Sequence, residues 1–367
     1  MKQWLFASLL VLSLIVVWGC ESSGTRRRLG RAKLGLPIES IDAAHLGYTI
    51  QWATAINPLG THHIRHVAVL GDLIVTVEAP SNLVSAIAVR DGTLLWRRPV
   101  GQPVDRLFAP QRNGDVILVN SEKQLFSLDV NNGDVRYVSE LESIVGTSPV
   151  LIDRYAVFGG LDGKVFGHDI QSGFSKWQYQ LTSEIRAQPI GVGNNVFVTD
   201  ANGFYAMIQA ATGRMLWKDP TFGPISATPA ANSFAVFVAG QDQKLYALNR
   251  IDGRERWVFM ATRPLTRGPT VFGNRLYLPL PTGGVVALNA ADRAELWRLD
   301  TDALPVTEIG NHVLMNGTNQ LILVDRQTGR TAVRVPTLPL KTVLEGPDRS
   351  LILVTPTGRL LRLDPRA

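Results

Sequence analysis

One pattern governs this chain: the segments "AIAVRDGTLLW", "LFSLDVNNGDVRY", "VFGHDIQSGFSKW", "FYAMIQAATGRMLW", "LYALNRIDGRERW", "VVALNAADRAELW" and "LILVDRQTGRTAV" follow one another in a single register. The turn glycines Gly92, Gly133, Gly173, Gly213 and Gly253 are spaced 41, 40, 40 and 40 residues, Arg293 continues the register at 40, and Gly329 follows after 36. A period near 40 restricts the fold to a solenoid, a propeller or an array. Each unit carries short runs rich in Val, Ile, Phe and Tyr bounded by Gly, Asp and Asn, the mark of strands and hairpins. In the unit from Ser148 the runs are "SPVLI", "YAVFGGL", "KVFGHD" and "SKWQYQ", and "LDGK" and "QSGF" put glycine where a tight turn demands positive φ. Helical periodicity is lacking after the apolar N-terminal run. Four antiparallel strands per 40 residues make a propeller blade.

The aromatic four residues after each turn position, Trp96, Tyr137, Trp177, Trp217, Trp257 and Trp297, is placed to wedge between neighbouring sheets, so it is read as core. Fourth-strand positions at Trp52, Trp96, Tyr137, Trp177, Trp217, Trp257, Trp297 and Val333 count to eight, as do the third strands. The folded part begins with a fourth strand, "TIQWATAI", and ends with a third, "GRLLRLDP". Pairing these two leaves no open ring edge. The expectation is an all-β fold: one eight-bladed propeller over residues 46–367, closed by its N-terminal and C-terminal strands.

Ahead of it, Leu5 to Trp18 is almost wholly apolar, Lys2 precedes the run, and Gly19 stands before Cys20, the only cysteine. Fourteen residues span about 21 Å as a helix, short of the ~30 Å hydrocarbon core, so the run reads as an export signal over residues 1–19. Val17-Trp18-Gly19-Cys20 resembles a bacterial lipobox, with Trp18 departing from the usual small residue. An exported chain with a single cysteine cannot close an internal disulfide, and lipid attachment accounts for Cys20. Two or three acyl chains give stable anchoring. Residues 20–45 then form a basic linker suited to anionic headgroups.

The formal charge of +6 suggests nucleic acid until its location is read. Six Lys/Arg and a single acid fall in residues 1–33, leaving 31 basic and 30 acidic residues from Leu34 onward. A near-neutral folded body without a basic stripe excludes nucleic acid as the partner. No G-x-S-x-G, H-E-x-x-H, P-loop or C-x-x-C-H motif occurs, and acids such as Asp129, Asp162, Asp252 and Asp325 fall in turns, where they bind their own backbone. "THHIRH" gathers His62, His63 and His66, yet on a strand His62 and His66 would share a face that His63 opposes, too few for a metal. No metal site is expected.

Units of the form "LYALN-x-x-G-x-x-x-W" preceded by "S-x-x-P" resemble the pyrroloquinoline quinone (PQQ) enzyme repeat, from about His45 to the end. Two families share it: quinoprotein dehydrogenases, and BamB-type lipoproteins, non-catalytic propellers of the complex that inserts barrel proteins into the outer membrane. Signal, lipobox, linker and a lone ring resemble the second. The quinone site of the first needs a vicinal cysteine pair, which this chain lacks, so no cofactor is expected and a PQQ-dependent oxidoreductase is the weakest reading. A small-ligand or glycan-binding propeller with its site at the axial mouth stands as the alternative. The resemblance further implies a membrane-anchored scaffold with a barrel-assembly protein as partner. Glu21, in place of an aspartate that signals inner-membrane retention, implies outer-membrane residence facing the periplasm. In BamB-type proteins an inter-blade loop bearing a hydrophobic residue and then arginine contacts the barrel protein; in "TSEIRAQP" the matching residues are Ile185 and Arg186, and Glu184 ahead of them departs from that pattern.

Overall fold

The computed structural model describes residues 35–56, 63–221 and 223–366; the predicted signal peptide and Cys20 lie outside them. Eight four-stranded antiparallel sheets follow one another around a ring. Blade 3 shows how one unit is built, with strands Val150–Ile152, Tyr155–Gly159, Lys164–Asp169 and Phe174–Gln180. Its second and third strands lie between neighbouring sheets and are buried on both faces, whereas the fourth alternates exposed and half-buried along the outer edge. That difference is written in the sequence as continuous apolar runs for the middle strands and alternation for the last.

The aromatics join the blades as well as filling them. Each fourth-strand ring reaches the next blade and donates to a carbonyl just after its third strand: Trp52 to Val89 (2.9 Å), Trp96 to Val130 (2.9 Å), Tyr137 to Ile170 (2.7 Å), Trp177 to Ala210 (2.8 Å), Trp217 to Arg250 (3.3 Å), Trp257 to Ala290 (3.1 Å) and Trp297 to Arg326 (3.0 Å). Three residues past that carbonyl stands the turn glycine at every seam but Trp257's, and in the five seams where it faces a tryptophan the indole lies against it; a Cβ on Gly173, opposite Tyr137, would meet only Ser139 Oγ (3.3 Å). A Cβ on Gly133 would fall 2.4 Å from the Trp96 ring, and one on Gly213 would fall 2.5 Å from Trp177. At Gly133 and Gly213 glycine suits the position twice, for its positive φ and for lack of a side chain. Arg293 holds the same position at φ +70, and its guanidinium donates to the Val258 carbonyl (2.6 Å).

The seam between blades 7 and 8 carries Val333 where the other seams carry an aromatic. There a short helix, α1 (Ser40–His45), packs against both Thr331–Pro336 of blade 7 and Tyr48–Ala55 of blade 8. Pro37 accepts from the Leu338 amide (2.8 Å), and Ile38, Ala43 and Leu46 are buried. Residues 37–45, read from sequence as the end of a linker, thus supply the apolar contact that the missing ring would have made.

Closure follows the expected route. Tyr48–Ala55 pairs antiparallel with Arg359–Pro365, matching Thr49 with Asp364 and Ala55 with Arg359, so the earliest strand is the outer strand of blade 8. The Ile56 amide continues to Gly358 O (3.0 Å) and Arg97 of blade 1 donates to Ile56 O (3.2 Å), which ties the closing strand to the blades on either side.

Among the polar side chains buried in the middle strands, His168 stands out. His168 is buried in the third strand of blade 3, where Ile208, Leu248 and Leu288 stand in successive blades, and neither ring nitrogen has a hydrogen-bond partner in the protein. Burial lowers its pKa, while the charges of Asp169 and Glu142 pull the other way. Because the unfolded chain takes up a proton that the folded chain resists, stability is full above the unfolded imidazole value of about 6.5 and falls as pH drops below it. Melting curves between pH 7.5 and 5 should show this acid limb flattened in His168→Leu; an unchanged limb would assign it elsewhere.

Candidate functional site

The inter-blade loops and the turns between second and third strands hydrogen-bond to one another at one end of the blades, and the loop 181–189 shows the construction. Asp200, fully buried at the turn of blade 4, accepts from the Thr182 amide (3.1 Å) and hydroxyl (2.6 Å) and the Ser183 amide (3.0 Å). Ile185 N donates to Gly160 O of blade 3 (3.0 Å), and Ala201 N of blade 4 donates to Glu184 O (2.8 Å). The loop is clamped to two blades at once.

Within it the two residues singled out from sequence part company. Ile185 is 0% exposed, packed with Val157, Val165, Val196 and Val198, and so close to Gly159 that a Cβ there would lie 2.3 Å away. Val145, Ile225 and Leu265 stand in the same place in neighbouring blades, equally buried, each four residues before Pro149, Pro229 and Pro269 as Ile185 is before Pro189. This aliphatic plug recurs every 40 residues, a signal available in the sequence to anyone aligning the prolines. Ile185 therefore presents no surface to a partner in this conformation. Arg186 does: its side chain is 60% exposed and meets Glu184 through two parallel bonds, Nε to Oε1 (2.6 Å) and Nη2 to Oε2 (2.8 Å). An exposed pair of this kind contributes little to stability, and three of the guanidinium's five donors stay available.

The histidine cluster is only partly described, since His62 lies outside the described residues. His63 is exposed at the start of the first strand of blade 1, and a bulge between Ile64 and His66 breaks the simple alternation expected there. His66 is held at a pKa of about 4, by burial first and then by the charges of Lys341, Arg65 and Arg106. Among the described residues no three His, Cys, Asp or Glu side chains converge as metal ligands would. The turn carboxylates serve their own backbone: Asp129 accepts from Asn131 N (2.8 Å), Asp162 from Lys164 N (3.1 Å), Asp252 from Arg254 N (3.1 Å) and Asp325 from Gln327 N (3.0 Å). A cavity of about 590 Å³ opens on the outer rim between blades 2 and 3, lined by Tyr137, Glu140, Gln171 and the exposed Phe174.

Comparison with known proteins agrees with this architecture. The crystal structure of BamB from Moraxella catarrhalis is similar over 86% of this chain and 97% of its own, with a TM-score of 0.70 and 20% sequence identity. The computationally designed Ika8 protein is similar over 83% of this chain and 96% of its own, with a TM-score of 0.69 and 15% identity. A search of curated protein sequences gives no match. At these identities both structures speak for the fold alone. The family model described as outer membrane protein assembly factor BamB matches residues 38–259, from the residue before α1's cap through blade 5, and on that match the chain belongs to the BamB family of PQQ-like-repeat propellers.

Proposed function

We propose that this protein is a non-catalytic, lipid-anchored scaffold that helps assemble outer-membrane β-barrel proteins by holding a barrel-assembly protein against its inter-blade loops. The family match over residues 38–259 carries the reading. It is supported by a ring of uniform blades whose turn carboxylates are committed to their own backbone, which leaves the loops as the variable surface. The lipid on Cys20 and residence at the periplasmic side of the outer membrane belong to the same reading and rest on the sequence "VWGCE".

Within the loop 181–189, Arg186 is the contact and Ile185 the residue that positions it. Arginine suits such a role because its fork can exchange Glu184 for a partner carboxylate or carbonyl at small cost. In mild-detergent copurification, Arg186→Ala is expected to weaken capture of the barrel-assembly protein by about 2 kcal/mol with the melting temperature unchanged. Ile185→Ala is expected instead to lower stability by about 2 kcal/mol. Equal capture by parent and Arg186→Ala would remove this loop from the interface, and recovery of only unrelated proteins would remove the barrel-assembly role.

A further inference from the structure

Arg65, Arg106 and Lys341 lie where blades 8, 1 and 2 adjoin, each near enough to His66 for its charge to depress that imidazole's pKa. Arg65 lies in the first strand of blade 1 (His63–Leu70), Arg106 in the loop entering blade 2, and Lys341 directly before the first strand of blade 8 (Thr342–Glu345). These first strands are neighbours around the ring. Arg65 Nη1 donates to the Asp105 carbonyl (3.5 Å), which ties the first strand of blade 1 to the loop that carries Arg106. The Arg106 guanidinium lies 5.4 Å from the centre of the Phe108 ring, a stacked placement that fixes it without using up its donors.

Among the described residues none of the three forms an ion pair. The nearby carboxylates make no ion pair with these cations. Asp105 accepts from the Gln102 amide (2.6 Å), and Glu78 is buried against Arg97 (2.7 Å). On its outer side Arg106 also borders a cleft of about 330 Å³ that contains Glu122, Lys123 and Glu140, and there Glu140 takes the Gln124 amide (2.7 Å). Three like charges around a half-buried imidazole, none of them ion-paired with a carboxylate among the described residues, are an electrostatic cost that a bound anion would relieve.

We propose that Arg65, Arg106 and Lys341 form an anion-binding site at the axial mouth that takes a phosphate monoester, free or as a lipid headgroup. Two guanidinium forks and one ammonium match the geometry and the near double charge of a phosphate monoester, whereas a single carboxylate would leave most of the positive charge unbalanced. The site is independent of Arg186 and of the barrel-assembly reading.

The test is a thermal-shift titration of the full chain with inorganic phosphate at pH 7.5, ionic strength being matched with chloride. A saturable rise in melting temperature is expected, and Arg106→Gln and Lys341→Gln should each weaken the apparent affinity about tenfold. A second readout does not depend on the variants folding well. The proton NMR titration midpoint of His66, about 4 in the free protein, should move upward in saturating phosphate because the anion offsets the surrounding cations. Glycerol 3-phosphate and dioctanoyl phosphatidic acid below its micelle concentration distinguish the source: equal binding assigns a soluble phosphoester, and tighter binding of the lipid assigns a headgroup. A melting shift that chloride reproduces, or one that both substitutions leave intact, or a His66 midpoint indifferent to phosphate, would overturn the proposal.

Discussion

Gly133→Ala is expected to destabilise the ring by roughly 3 to 5 kcal/mol in urea unfolding, adding the left-handed backbone cost of about 1–2 kcal/mol to an overpacking cost of about 1–3. The upper half of the sum applies because the new methyl would sit 2.4 to 2.8 Å from three atoms of the Trp96 ring, itself fixed by its bond to Val130 O (2.9 Å). The ring must shift within the seam between blades 1 and 2 to make room. Arg293→Gly is the counter-experiment. It removes a side chain from φ +70 at the equivalent turn and should raise stability by about 1 kcal/mol. Gly133→Ala behaving like an ordinary surface substitution would mean that the indole slides aside freely and that the seams do not depend on this contact.

Removal of residues 1–56 is expected to abolish cooperative unfolding. The deletion leaves blade 8 with three strands and strips its edge, and it takes away Ile38, Tyr48, Trp52 and Ile56, all buried or half-buried in the ring. At about 2 kcal/mol for each large apolar side chain, this loss approaches the 5–15 kcal/mol that keeps a typical domain folded. Adding a peptide of residues 37–56 in trans should restore near-ultraviolet circular dichroism and a sigmoidal urea curve. Full cooperativity in the truncated chain without peptide would show that seven and three-quarter blades hold together unaided.

The register of glycines and aromatics made the blade count and the closing pair legible, because both are set by local turn chemistry repeated in sequence. Other features escaped for physical reasons. α1 is only six residues, under two turns, too short to display a helical period. Ile185 looked like a surface anchor when its loop was read singly; its burial shows only when Val145, Ile225 and Leu265 are set beside it. The convergence of Arg65, Arg106 and Lys341 joins residues up to 276 positions apart through ring closure, and no local pattern marks it.

That closure also imposes an order in time. Thr49 waits for Asp364, some 315 residues later, so the first strand of the ring to be made is the last to find its partner. At 5–20 residues per second the delay is roughly 15–60 s. Throughout it "TIQWATAI" lacks its strand partner and can lean only on blade 1 through Trp52 and Ile56, while blades 1 to 7 can already stack on one another. A holdase that shields this one segment would govern the yield of the whole molecule, and a chain cut short by even the final ten residues would leave its beginning, as well as one edge of its end, without a strand partner.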